Sequence, residues 1–161
     1  MRAAKVLCRT GADAEDAVSE TILEAVKGYG GFRGNSSATT WMYTILLRVV
    51  SAGKRRGDET VALGEEAAER PDGRPAPEDA AAGDEESRAV IRAIRSLPPR
   101  QREIVTLYCI ENLTYAEVAE ALGVSTGTVK DSMFKAKKAL RRSLSAMGVE
   151  REGPNGLPRR S

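Results

Sequence analysis

The chain has 161 residues, with 25 Lys and Arg against 23 Asp and Glu, no histidine and 4% aromatic residues. Such a length holds one ordinary domain or two small ones, and a composition rich in Ala, Glu, Arg and Leu favours helix over sheet. With no histidine, no phosphate-cradling glycine loop, and no partner for Cys8 or Cys109 at metal-ligand spacing, neither an enzyme, a metal site nor a disulfide framework is suggested, and no cofactor or small-molecule substrate is expected.

The nearly neutral total hides segregation. Residues 1–57 carry 9 basic against 5 acidic side chains, residues 58–86 carry 2 against 11, and residues 87–161 carry 14 against 7. Two basic modules flank an acidic connector, a pattern that suits contact with a polyanion, although solvated helix faces are the commoner source of basic clusters. Met1–Thr10 lacks a signal-peptide run, and nowhere do about 18 apolar residues follow one another, so a cytoplasmic chain without membrane contact is expected.

In chain order, Asp13 is expected to cap a first helix whose apolar face is Ala17, Val18, Ile22, Ala25 and Val26, ending near Gly28, Gly30 and Gly31. Thr40 is expected to cap a second helix, WMYTILLRVVSAGKRR, with Trp41 in the core and the cations Lys54, Arg55 and Arg56 at its C-terminal end, where they suit the helix dipole. From Gly57 to Glu86 the acids repel one another and Pro71, Pro75 and Pro77 forbid a continuous helix, which predicts a flexible linker. Helical spacing resumes with Ala89, Val90, Ala93, Ile94 and Leu97; Pro98 stops that helix and Pro99 starts the next, whose core stripe is Ile104, Val105, Leu107, Tyr108 and Ile110. Residues 149–161 are expected to form a disordered tail.

The segment TYAEVAEALGVSTGTVKDSMFKAKKALRRSL has helix-turn-helix spacing. Thr114 and Glu117 predict a capping box, Ala119 is small where two helices cross, Gly123 permits the tight turn, and Ser125 caps the second helix. Val129, Met133, Ala136 and Leu140 form the inward stripe. Ser125, Thr126, Thr128, Lys130, Asp131, Lys135, Lys137, Lys138 and Arg141 are then the candidate DNA-facing residues, in a pattern suited to a recognition helix in the major groove. An ordinary helical hairpin with a solvated basic face is the plain alternative.

The stretch LPPRQREIVTLYCIENLTYAEVAEALGVSTGTVKDSMFKAKKALRRSL resembles region 4 of extracytoplasmic-function sigma factors, and DAEDAVSETILEAVKGYGGFRGNSSATTWMYTILLRVVSAGKRR resembles their region 2, with its Ala-Glu-Asp opening, Phe-Arg-Gly loop and Thr-Trp-x-Tyr helix start. The resemblance implies an all-α chain of two small helical domains, 1–57 and 87–148, joined by an acidic linker over 58–86, the second a winged-helix-like helix-turn-helix domain. It implies transcription initiation, with core RNA polymerase (β′ clamp helices and β flap), promoter DNA and an anti-sigma factor as partners. Carried over by position, Glu15, Asp16 and Glu20 fall on the clamp-facing helix. Phe32, Arg33, Asn35 and Ser36 fall in the loop that captures a minus-ten base, with Arg48, Lys54, Arg55 and Arg56 as further DNA contacts, while region 4 reads the minus-thirty-five element.

The chain departs from the family pattern at Ser19, where Gln is usual; at Arg48, where Asn is usual; at Ala52, where Asp is usual; and at Asp131 and Ser132, where a small polar and a basic residue are usual. Only 13 residues precede Ala14, so the first domain is expected to lack part of a packing helix. The rival readings are a DNA-binding regulator or degenerate sigma remnant acting through its helix-turn-helix alone, and a module that binds an anti-sigma protein.

Overall fold

The structure, a computed structural model, describes residues 1–62 and 85–148, with side chains described for 1–55 and 85–148. Most of the expected linker and the whole expected tail lie outside these residues. Among the described residues every regular element is helical, and no helix is long and apolar enough to cross a membrane.

A short helix, α1 (Arg2–Leu7), buries Ala3, Ala4, Val6 and Leu7. It precedes the 18-residue α2 (Gly11–Gly28), which begins earlier than expected. Thr10, not Asp13, is the cap: its hydroxyl accepts from the Asp13 backbone N–H at 3.1 Å, and its own N–H donates to Asp13 Oδ2 at 3.1 Å. This reciprocal arrangement needs the acid three residues inside the helix, which the spacing Thr10 to Asp13 meets.

The inward face of α2 also differs from expectation. Ala14, Ala17 and Thr21 are buried, whereas Ile22 and Val26 face solvent. Small residues let α3 approach closely, and Thr21 satisfies its buried hydroxyl by donating to the Ala17 carbonyl at 2.6 Å.

After a 3-10 turn at Tyr29–Gly31 and an open loop comes α3 (Ala38–Ala62), which runs past the expected end at Arg56. Its cap is Ser37, whose hydroxyl accepts the Thr40 N–H at 3.0 Å, while Thr40 is buried inside the first turn. Five apolar residues of this helix, Ile45, Leu46, Leu47, Val49 and Val50, sit in the core beside Tyr43.

The second half comprises α4 (Glu85–Arg95), α5 (Pro99–Val105), α6 (Tyr115–Leu122) and α7 (Thr126–Ala146). Pro99 occupies the first helical position of α5, where its missing N–H costs nothing. A π-helical turn, Thr106–Ile110, extends α5, and Asn112 then takes a left-handed backbone at φ 58° to turn the chain toward α6.

The two halves share one continuous core, from Ala3 through Leu46 and Ile104 to Leu140. Polar contacts clasp its edge. Glu111 accepts the buried Ala3 N–H on Oε1 and the Tyr43 hydroxyl on Oε2, each at 2.5 Å. Arg2 donates to the Ile110 carbonyl at 2.8 Å, and Arg95 to the Lys5 carbonyl at 2.5 Å. Burial, and next the Glu111 hydrogen bond, push the Tyr43 phenol far above its ordinary range, so it remains a donor.

Candidate nucleic-acid interface

The helix-turn-helix forms as its local signals dictate. Thr114 accepts the Glu117 N–H at 3.3 Å while Glu117 Oε2 accepts the Thr114 N–H at 2.8 Å, closing the capping box of α6. Gly123 ends α6 at φ 63°, ψ 39°, a left-handed conformation open to glycine at little cost. Ser125 then accepts the Thr128 N–H at 3.1 Å and starts α7.

Val129, Met133, Ala136 and Leu140 lock α7 onto α5 and α6, with Val129 fully buried and Met133 1% exposed. Burying that stripe leaves the opposite face to solvent. Lys130, Lys135, Lys137, Lys138, Arg141 and Arg142 are all exposed and pair with no acid among the described residues. Ser125, Thr126, Thr128 and Asp131 share this outer surface at its N-terminal end. Six unpaired cations on one helix form a surface suited to phosphate, and the hydroxyls sit at the end from which such helices reach base edges.

On the first half, the loop between α2 and α3 exposes Arg33 and Asn35 and half-buries Phe32 and Ser36. Phe32 packs on Trp41 with ring centroids 4.9 Å apart, and Trp41 in turn covers Gly28, where an added Cβ would stand 3.4 Å from the indole. Trp41 is thus half-buried, serving as the floor of the loop. Along α3 the exposed positions Thr44, Arg48, Ser51 and Arg55 recur at helical spacing and extend from the loop as a polar stripe, with Lys54 half-buried beside it. Arg56 continues the helix backbone, and its side chain lies outside the described set.

On α2, Glu15, Asp16 and Glu20 are exposed. The same helix exposes Ile22 at 49%, Leu23 at 59% and Val26 at 71%, giving a surface acidic at one end and apolar at the other.

The sigma-70 region 2 family model matches residues 1–60 and the sigma-70 region 4 family model matches residues 87–140. The RNA polymerase sigma-H factor of Pseudomonas aeruginosa is 32% identical over 146 residues, covering 84% of this chain and 75% of that protein. The extracytoplasmic-function sigma factor SigM of Mycobacterium tuberculosis is 33% identical over 148 residues, covering 92% of this chain and 72% of that protein. This chain belongs to the extracytoplasmic-function sigma factors of the sigma-70 family. It spans 41% of another relative, the SigG factor of Mycobacterium tuberculosis, at 34% identity. Among solved structures, the sigma factor RpoE of Bartonella quintana, in complex with the anti-sigma factor NepR, has the same fold, with a TM-score of 0.77, 24% identity, and coverage of 89% of this chain and 88% of that one. Promoter-directed transcription initiation is the activity of the family, and this sigma factor carries both of its DNA-reading regions.

Within this sigma factor the recognition-helix candidates are exposed on region 4, and on region 2 the exposed Arg48 and Arg55 follow the loop candidates along α3 with Lys54 half-buried beside them, the Arg56 side chain lying outside the described residues. The sequence reading missed three features. Phe134, 73% exposed among the α7 lysines, has helical spacing that places it off the core stripe. Ile22 and Val26 were expected inside because apolar periodicity alone does not say which face is covered. The Glu111 clasp joins residues 68 and 108 positions apart and leaves no local trace.

Proposed function

We propose that this sigma factor recruits core RNA polymerase to promoters by dividing three contacts among its helices. The α7 face, with Lys130, Lys135, Lys137, Lys138 and Arg141 around Ser125, Thr126, Thr128 and Asp131, reads the duplex minus-thirty-five element. The Phe32 to Ser36 loop and the Arg48, Lys54, Arg55 and Arg56 positions of α3 take the melted minus-ten strand, where a base stacks beside the Phe32–Trp41 pair and cations hold the backbone. The outer face of α2, with Glu15, Asp16 and Glu20 beside Ile22, Leu23 and Val26, docks on the β′ clamp helices; an exposed apolar patch rimmed by charge suits a protein partner. Region 4 meets the β flap. The factor works in the cytoplasm, catalyses no reaction itself and is held in check by an anti-sigma protein, a reading supported by its likeness to a sigma factor solved with an anti-sigma factor.

The observation that carries this reading is the α7 face: an inward stripe fully engaged and, outside it, six exposed cations that pair with no acid among the described residues. Transcription in vitro with core polymerase tests it. The full chain should yield a specific transcript, Lys130→Glu should abolish promoter binding with polymerase binding intact, and Glu15→Lys should do the reverse. DNA binding without any polymerase-dependent transcript would establish a regulator in its place.

A further inference from the structure

The α7 surface proposed to meet duplex DNA holds one acid, Asp131. At about 100° of rotation per residue, the buried residues Val129, Met133, Ala136 and Leu140 all lie within about 40° of directly opposite Asp131. Asp131 therefore marks the centre of the outward face, in the second turn of the helix. Lys135, Lys138 and Arg142 continue the same line toward the C-terminal end. Asp131 forms no ion pair among the described residues, although Lys135 is one turn away.

A carboxylate at the centre of a phosphate-binding face weakens binding to every duplex unless it meets a hydrogen-bond donor. In the major groove only two base groups donate, the N4 amine of cytosine and the N6 amine of adenine. Adenine N6 lies between two acceptors, its own N7 and thymine O4. An acceptor-only carboxylate is repelled by both. Cytosine N4 has a single neighbouring acceptor, guanine O6, and a C5–H on its other side. Phe134, three residues on and 73% exposed, offers an apolar surface next to the acid, suited to the C5 edge of a pyrimidine.

We infer that Asp131 is a specificity-determining residue that demands a cytosine in the promoter element read by α7. This inference rests on the assignment of α7 to duplex DNA. Asp131 thereby lowers affinity for all other duplexes and converts that loss into discrimination, since the acid is neutral in effect only where the amine answers it.

The test is selection of duplexes from a randomised library by the full chain, with Asp131→Asn and Asp131→Ala in parallel. The wild-type pool should show a cytosine favoured about tenfold at one position, and Asp131→Asn should shift that position to adenine, because an amide pairs with adenine N6 and N7 together. Asp131→Ala should lose the preference there and bind the remaining duplexes more tightly. The exposed site leaves folding intact, which unchanged thermal melting would register. Base preferences identical in all three pools would overturn the inference while leaving DNA binding standing. Failure of the wild type to enrich any duplex would bring down the DNA assignment and this inference with it.

Discussion

Replacing Glu111 by Ala removes the centre of the clasp between the two halves. Two donors lose their acceptor: the Ala3 N–H, which is buried, and the hydroxyl of the buried Tyr43. A hydrogen bond to a charged acceptor contributes about 1.5 to 3 kcal/mol, and an orphaned buried donor costs a similar amount. Because Glu111 itself is half-buried and water reaches part of the vacated space, about 3 kcal/mol in total is expected, a large share of the stability of a small protein. The loss falls on docking of the halves. Trp41, the only tryptophan, reports the first half, and far-UV circular dichroism reports all helices. In the wild type the two urea transitions should coincide, since one core spans both halves; in Glu111→Ala the Trp41 transition should move to lower urea and separate from the helical signal. Superimposed transitions with an unchanged midpoint would show that the clasp contributes nothing.

Other outcomes follow from single observations. Lys138→Ala on the outward line of α7 should weaken binding uniformly across duplex sequences and reduce the slope of log affinity against log salt by about 1, measured by titration at several salt concentrations. Gly123→Ala forces a Cβ into a left-handed backbone at φ 63° and should lower stability by about 1 to 2 kcal/mol in chemical denaturation, although the space around it is open. Burial pushes the Cys109 thiol from 9.0 up to about 11, so its alkylation should still be accelerating at pH 10, where an ordinary thiol has levelled off. The unfolded thiol ionises first, so the stability held by the neutral buried thiol is complete below pH 9.0 and should be lost as pH rises toward about 11.

What the sequence made legible is what lies within a turn or two of chain. The Thr114–Glu117 box, the left-handed Gly123, the Ser125 cap and the buried stripe of α7 all depend on partners at most a few residues apart, and all form as their spacing requires. Asp13 and Thr10 are both good caps by residue type, and only the reciprocal bond between them decides where α2 starts. The Ile22 and Val26 error has a different origin. Apolar residues on α2 occupy two faces, and tertiary contact with α3 chose the face made of Ala14, Ala17 and Thr21, because small side chains allow a closer approach. The π-helical turn at Thr106–Ile110 carries no composition signal, and the clasp depends on residues brought together only by folding.

The clasp also sets a geometric conflict with promoter reading. A docked body of this size is about 35 to 40 Å across. Elements named for positions minus ten and minus thirty-five lie about 25 base pairs apart, or about 85 Å at 3.4 Å per base pair. On the proposed assignment of the Phe32 loop to one element and α7 to the other, the docked form cannot reach both, and the halves would have to part for both contacts to be made. Docking then competes with promoter engagement, and the fraction able to bridge the elements rises as docking weakens, by at most the free energy removed. Glu111→Ala should thus unfold at lower urea yet bind a two-element promoter more tightly with core polymerase, by up to about 100-fold, while its affinity for an isolated minus-thirty-five duplex stays unchanged. Opposite signs in the two assays are the signature of a competing docked state. A variant that loses promoter binding in proportion to its stability would show instead that the docked arrangement is the one that engages DNA.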